Sequence, residues 1–454
     1  MKINYLLIGL IFLLGCKQNP KEIKSSANIE KYQLESANPE FLHRAMRSLT
    51  DAIILDVFSP PVSSRIYVYS SIAAYEAMRH LKPGYASMAH QLNGLEDLPK
   101  PDSSKTYCYP LAALEAFYKT ANIFIFSKEV LDETQKKLMA EMNKLNIPED
   151  VFKNSIAYGD TLAAKIKPWV MKDNYKNLSN KSNYTTTYKP GSWIPTWPGY
   201  DPALEPFWCT MRTMAMDSCN QFRAAPPFPF SKDKKSDFYK QAYDVYTIGK
   251  NLTPEQSAIA KFWDDNPAVL NETGHMMIKR KKMTPNGHWL NIIRQASEKS
   301  KMDILSSSEA YMLASMGMYD GFITCWYEKF ENKVIRPISY ITEYIDPNWR
   351  PFLVTPPFPE HTSGHSVISG AAGEICTYIF GDNFKMVDST ENEFGHGVRS
   401  IESFRKAVEE VSISRVYGGI HYKRACEEGV KQGIKIGNNV LQKIKTRPSS
   451  VGVK

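Results

Sequence analysis

An all-α helical bundle is the architecture this sequence predicts, and three observations predict it. Apolar residues recur at helical spacing through most of the chain beyond residue 40. No series of alternating apolar and polar residues marks a sheet, and no internal repeat marks a solenoid. The candidate helices are separated by Pro- and Gly-rich punctuation rather than by linkers, so residues 38–445 read as one helical domain.

Taken in order, residues 41–58 carry an apolar stripe that Pro60-Pro61 should end, and 62–81 form a second helix closed by Pro83-Gly84. Amphipathic runs follow at 111–125, 128–145 and 150–169. Thr253-Pro254-Glu255-Gln256 has the form of a capping box, with proline in the first turn. Helices at 308–330, 366–380, 401–416 and 426–444 complete the series. The Pro/Trp/Gly-rich stretch 184–203 and the segment 226–229 read as long loops.

The chain has 454 residues, 43% of them hydrophobic and 23% charged, which excludes a disordered or collagen-like protein. A formal charge of +8 suits an anionic ligand but is too diffuse to argue for nucleic acid. The basic run Lys279-Arg280-Lys281-Lys282 reads as a solvated face.

The one long apolar stretch is N-terminal. Lys2, the run 6–14 and Gly15 before Cys16 have the order of an export signal, here 1–15. Its end resembles a bacterial lipobox, in which Cys16 would carry lipid, and 16–37 would tether that anchor to the folded body. The expectation is an envelope lipoprotein. Six further cysteines, Cys108, Cys209, Cys219, Cys325, Cys376 and Cys426, are either bridged in that compartment or buried as thiols. Cys209 and Cys219 are the pair closest in sequence, and no CxxC suggests zinc.

P-loop, dinucleotide, HExxH and GxSxG motifs are all absent. What remains is a set of cations and imidazoles in the last third. Lys329 and Arg336 stand seven apart at the end of a helix that Pro337 should stop. Ser363-Gly364-His365 opens an Ala/Gly-rich helix whose free N–H groups suit an oxyanion. Arg415 closes a later helix and His421 follows it. Each alone is as readily a surface cation, a helix cap or a core histidine; their order and spacing together are more specific.

Lysine, six residues, Arg-Pro; Ser-Gly-His; then Ser-Arg, five residues, His: this pattern resembles the vanadium-dependent haloperoxidases and the related type 2 phosphatidic acid phosphatases. The segments PPFPEHTSGHS and SRVYGGIHY look like the haloperoxidase branch, and the exported, lipoprotein-like chain resembles the bacterial iodoperoxidases. The resemblance implies a vanadate cofactor within 326–421. Lys329, Arg336 and Arg415 would neutralise its oxygens, with Ser363 and the Gly364 N–H adding hydrogen bonds. His421 would bond vanadium, His365 would serve as acid and base, and Lys329 would also polarise bound peroxide. Trp326 and Phe358 match places lining the family's halide pocket. Hydrogen peroxide and halide, iodide above all, would be the substrates, and phosphate a competing oxyanion. The alternative is an acid phosphatase with His421 as nucleophile.

Two positions depart from the superfamily pattern. Ala425 stands where an aspartate often orients the metal-binding histidine, so Glu428 or a backbone carbonyl is expected to replace it. Thr362 stands where proline is common. Without that aspartate, phosphatase turnover is expected to be low.

Overall fold

The computed structural model describes residues 31–447, apart from 179, 180, 182, 183, 268, 274, 275 and 281, and leaves the side chains of 268–281 undescribed. Cys16, the export segment and most of the expected tether lie outside these residues. The described end of the tether is helical over 31–36, with Tyr32 and Ser36 fully buried, so the folded body reaches further back than residue 38.

The principal helices are α1 (Glu40–Leu55), α2 (Pro60–Met78), α3 (Tyr109–Ala121), α4 (Lys128–Asn143), α5 (Glu149–Met171), α6 (Asp237–Lys250), α7 (Pro254–Phe262), α8 (Pro285–Lys299), α9 (Ile304–Asn332), α10 (Pro337–Tyr344), α11 (Gly364–Phe380), α12 (Phe404–Tyr417) and α13 (Lys423–Lys443). Two short antiparallel pairs accompany them: β1 (Val269–Thr273) with β2 (Met276–Arg280), and β3 (Met386–Asp388) with β4 (Arg399–Ile401). The all-α reading holds. One buried apolar cluster runs from Tyr32 to Ile444, with α2 and α9 inside it and buried along nearly their whole length.

The capping box forms as read: Gln256 N–H donates to Thr253 Oγ1, and Thr253 N–H donates to Gln256 Oε1. Two proline signals act in the opposite sense from that expected. Pro60-Pro61 begins α2 behind the Ser59 cap, and Pro337 begins α10 behind Arg336. Proline lacks only the N–H that a first turn leaves unpaired, so the same residue can stop one helix or start the next. Helix α9 ends instead at Lys333, whose backbone is left-handed (φ 52°). Helices α6, α8 and α10 were not anticipated. All six described cysteines are free thiols, so Cys209 and Cys219 are not bridged. In the basic run, Lys282 is mostly buried and pairs with Asp264 at 3.0 Å.

Two helices bring the distant motifs together. A Cβ at Gly433 of α13 would run into the Val367 carbonyl of α11, so only glycine allows these backbones to touch. That contact sets the start of α11 beside the start of α13, where Ser363 N–H donates to the Ala425 carbonyl at 3.1 Å.

Candidate active site

Three cations converge at the junction of α9, α11, α12 and α13, and all three are buried. Lys329 and Arg336 are 0% exposed and Arg415 1%, which long charged side chains tolerate only when something compensates. Lys329, in the last turn of α9, donates from Nζ to the Pro359 carbonyl (2.8 Å) and the Glu360 carbonyl (3.1 Å). Arg336 donates to the carbonyls of Phe358 (2.7 Å) and Ile420 (2.8 Å) and to His421 Nε2 (3.1 Å). Arg415 donates to Ser414 Oγ (3.0 Å) and to the Trp263 carbonyl. Burial pushes Lys329 down to about 7 and Arg336 down to about 10. Burial lowers Arg415 too, against the pull of Asp264 and Asp265.

Ser363 caps α11, its Oγ accepting the Ser366 N–H, and Gly364 is the first helical residue. The first turn of such a helix leaves backbone N–H groups without intrahelical partners, here from Gly364 onward. His365, one position on, is partly open to a cavity of about 340 Å³ whose wall also includes Phe358, Arg415, Ile420, Asp264 and Asp265. Its Nε2 is buried with no hydrogen-bond partner. Burial, then Arg415, His288 and Lys329, hold its imidazole well below the ordinary range, so it is neutral.

His421 sits between the Arg336 guanidinium and the Glu360 carboxylate. Nδ1 lies 2.8 Å from Glu360 Oε1, which also accepts the Tyr422 N–H at 2.9 Å. Arginine can only donate, so the hydrogen bonds assign the proton to Nδ1 and the lone pair to Nε2. Burial followed by Arg336, Lys329 and Arg415 keeps this ring neutral as well. Burial raises Glu360 to about 7, opposed by Arg336 and Lys329.

The group that orients His421 is therefore neither of those expected. Glu428 turns away, accepting the Ala225 N–H at 3.2 Å and pairing with Lys431 at 2.8 Å. The Ala425 carbonyl is occupied by Ser363. Glu360 supplies the carboxylate from a different segment, three residues before Ser363. It lay inside the quoted PPFPEHTSGHS motif, and only the return of the chain at 360–363 against 421–425 shows its role. Thr362, the other departure, donates from its hydroxyl to Gln432 Oε1 at 3.0 Å.

The aromatic pair divides. Phe358 lines the cavity, with its ring centroid 4.9 Å from Lys329 Nζ and 4.9 Å from the Arg336 guanidinium carbon. Trp326 packs behind it, ring centroids 5.0 Å apart, and donates to the Leu204 carbonyl at 3.1 Å. The sequence reading also passed over Trp263, Asp264 and Asp265, which back Arg415 from the α7–β1 connection.

Three buried cations gather here, Lys329 and Arg336 near Glu360 and Arg415 near Asp264 and Asp265, and His365 has a buried nitrogen with no partner. Both features fit an oxygen-rich anion such as vanadate, whose oxygens guanidinium forks and helix N–H groups would hold. The lone pair of His421 Nε2 fits a single bond to the metal.

Comparison with known proteins agrees with the geometry. The family model for the VCPO second helical-bundle domain matches residues 342–449. The crystal structure of the first bacterial vanadium-dependent iodoperoxidase is similar over 91% of this chain and 99% of that one, at 40% identity and a TM-score of 0.86. Holo and apo structures of a bacterial vanadium-dependent chloroperoxidase are 16% identical, each with a TM-score of 0.64 over 85% of this chain and 92% and 94% of theirs. At that identity they show a shared fold. No curated protein sequence matches. With 40% identity to the iodoperoxidase along nine-tenths of its length, this chain belongs to the vanadium-dependent haloperoxidases and uses vanadate as its cofactor.

Proposed function

We propose that this haloperoxidase acts on iodide first and bromide less readily, converting halide, hydrogen peroxide and a proton to hypohalous acid and water. The observation that carries the catalytic reading is the set of three buried cations around one imidazole lone pair. The iodide preference is supported by the 40% identity to an iodoperoxidase and by the ease with which iodide gives up electrons.

Lys329, Arg336 and Arg415 would hold the anion's charge, Ser363 Oγ and the Gly364 N–H would bind its oxygens, and His421 Nε2 would bond the metal. Bound vanadate supplies a Lewis acid that activates hydrogen peroxide toward two-electron oxidation of the halide. His365, kept neutral, accepts a proton at Nε2 from the incoming peroxide and returns it to the departing oxygen. Lys329, held by the Pro359 and Glu360 carbonyls, would polarise the bound peroxide. Phe358 gives the halide an apolar wall, with Trp326 stiffening it from behind. The test is an assay of iodide, bromide and chloride with vanadate present. Chloride oxidised as fast as iodide would overturn the preference.

A second reading, phosphate-ester hydrolysis by the vanadate-free chain, gains support from one contact. The low turnover expected from Ala425 presumed that His421 lacked a carboxylate, and Glu360 provides one. Phosphate shares the tetrahedral shape of vanadate, so it should compete for the cradle and slow reconstitution. Phosphatase turnover of the vanadate-free chain, set against iodide oxidation by the loaded chain, separates the two. Fast ester hydrolysis with no vanadate-dependent halide oxidation would favour the phosphatase.

The same proposal includes export and lipid attachment at Cys16, which would hold the enzyme in the cell envelope. No described helix is long and apolar enough to cross a membrane. Cys16→Ser should move the protein from the membrane fraction to the soluble one at unchanged specific activity. Continued membrane association would identify another anchor.

A further inference from the structure

Behind Arg415, and outside the oxyanion cradle, lies a buried group of acids around one imidazole. His288, on α8, is fully buried, with Nδ1 2.8 Å from Asp265 Oδ1 and Nε2 2.8 Å from Asp388 Oδ2. Glu391 brings a third carboxylate; it is 2% exposed, and its Oε2 is buried with no hydrogen-bond partner. One donor atom each from Asp265, His288 and Glu391 lies within 4.8 Å of the others. His288 serves Asp265 and Asp388, one ring nitrogen to each, but no donor reaches the buried Glu391 oxygen, a costly arrangement that a metal cation would relieve.

The fourth residue has a different part. Asp388 Oδ1 accepts from Thr390 N–H (2.9 Å), Thr390 Oγ1 (2.6 Å) and Gln295 Nε2 (3.1 Å), which leaves Oδ2 fixed as the acceptor of the His288 Nε2 proton. A ring that donates one N–H to a pinned carboxylate presents its other nitrogen to a metal in a set orientation. Lys282, the nearest lysine, is already paired with Asp264.

We propose that Asp265, His288 and Glu391 form a site for a divalent transition metal, with Asp388 orienting the imidazole. The metal takes the place of the Nδ1 proton, which leaves to solvent, and is held by Nδ1 and one oxygen from each carboxylate. The mixed nitrogen and oxygen set suits Zn²⁺ or Mn²⁺; Ca²⁺ and Mg²⁺ prefer oxygen alone. The site ties three separate segments together: the α7–β1 connection, α8, and the turn between β3 and β4. His288 stacks on Trp263 at 4.6 Å and 22°, and the Trp263 carbonyl accepts from Arg415. A bound metal would thus fix the backbone that positions one arm of the oxyanion cradle.

The proposal is independent of which halide the enzyme prefers. The test uses the purified full chain, stripped with a chelator and titrated with Zn²⁺ by calorimetry, with zinc and vanadium measured on the same samples. One equivalent of Zn²⁺ per chain is expected, resisting a tenfold excess of Ca²⁺. Glu391→Gln, of nearly the same shape, should bind Zn²⁺ at least about tenfold more weakly, since even outer partners of a metal are worth that much, while keeping its vanadium. Asp265→Asn should weaken Zn²⁺ likewise. Circular dichroism checks the fold of both variants, and a Zn²⁺-dependent rise in the Tm of the unmodified chain gives a second readout. Absence of zinc binding in the unmodified chain, or equal affinity in both variants, would overturn the site and leave a proton shared between Glu391 and Asp265.

Discussion

Glu360 Oε1 stands 2.8 Å from His421 Nδ1 and fixes which nitrogen of that ring carries the proton. The pair joins the loop before α11 to the loop before α13, and it is the only carboxylate contact His421 makes among the described residues. Glu360→Gln keeps the shape but removes the charge. Vanadate should then dissociate about 10- to 100-fold more readily, the usual effect of losing a metal's outer partner. Equilibrium dialysis against vanadate measures this, whereas phosphate, which forms no bond to a metal-orienting imidazole, should bind the vanadate-free variant no more weakly, because a negative charge beside the cradle has been removed. Unchanged retention would mean that the ring is oriented by packing alone.

The two histidines of the pocket should separate by what they lose. His421→Ala should retain no vanadium, because among the described residues no other imidazole nitrogen is hydrogen-bonded to Arg336. His365→Ala should keep vanadium yet lose roughly 10²–10⁴-fold in halide turnover, the range typical of general acid–base groups. Vanadium content and iodide oxidation on the same preparations decide both. Loss of vanadium from the His365 variant would put that residue among the ligands.

Lys329 gives the empty cradle a pH dependence. Burial brings its ammonium down to about 7, so it is charged below that pH and increasingly neutral above it. Sulfate keeps a constant charge across this range and isolates the protein's share. Its affinity for the vanadate-free chain should fall as pH rises from 6 to 9, and Lys329→Met should flatten the profile while weakening binding throughout. A profile equally steep in the variant would assign the titration to Glu360.

Acid stability should depend on His43, which is 2% exposed with Nδ1 2.7 Å from the Tyr311 hydroxyl. Burial lowers it to about 4. A folded-state pKa below the unfolded one means stability present above pH 6.5 and lost as the pH falls toward 4. At about 1.4 kcal/mol per pKa unit this amounts to about 3 kcal/mol at most. His43→Gln should lose less Tm than the unmodified chain between pH 7 and 4.5. Parallel curves would shift the effect to His80 or His361, both also lowered to about 4 by burial.

The sequence by itself determined the helical class and most helix positions, and it singled out seven residues from Lys329 to His421 that the fold brings together, because helical periodicity and motif spacing are local properties of a chain. Its errors were local too. Pro60 and Pro337 carry the same steric signal whether a helix is ending or beginning, and only the Ser59 cap and the left-handed Lys333 decide between them. Helices α6 and α10 went unread because their apolar residues pack into a smaller cluster apart from the main core. Tertiary structure alone decided that Glu360, not Glu428, orients His421. Glu428 has the better helical spacing, but α13 turns it toward Ala225, whereas the loop at 360 folds back onto 421. The same holds for Asp265, His288, Asp388 and Glu391, which are spread over more than 120 residues and meet only because α8 packs between the segments that carry the acids. Which charges face one another is set by packing between distant segments, and no pattern of neighbours along the chain records it.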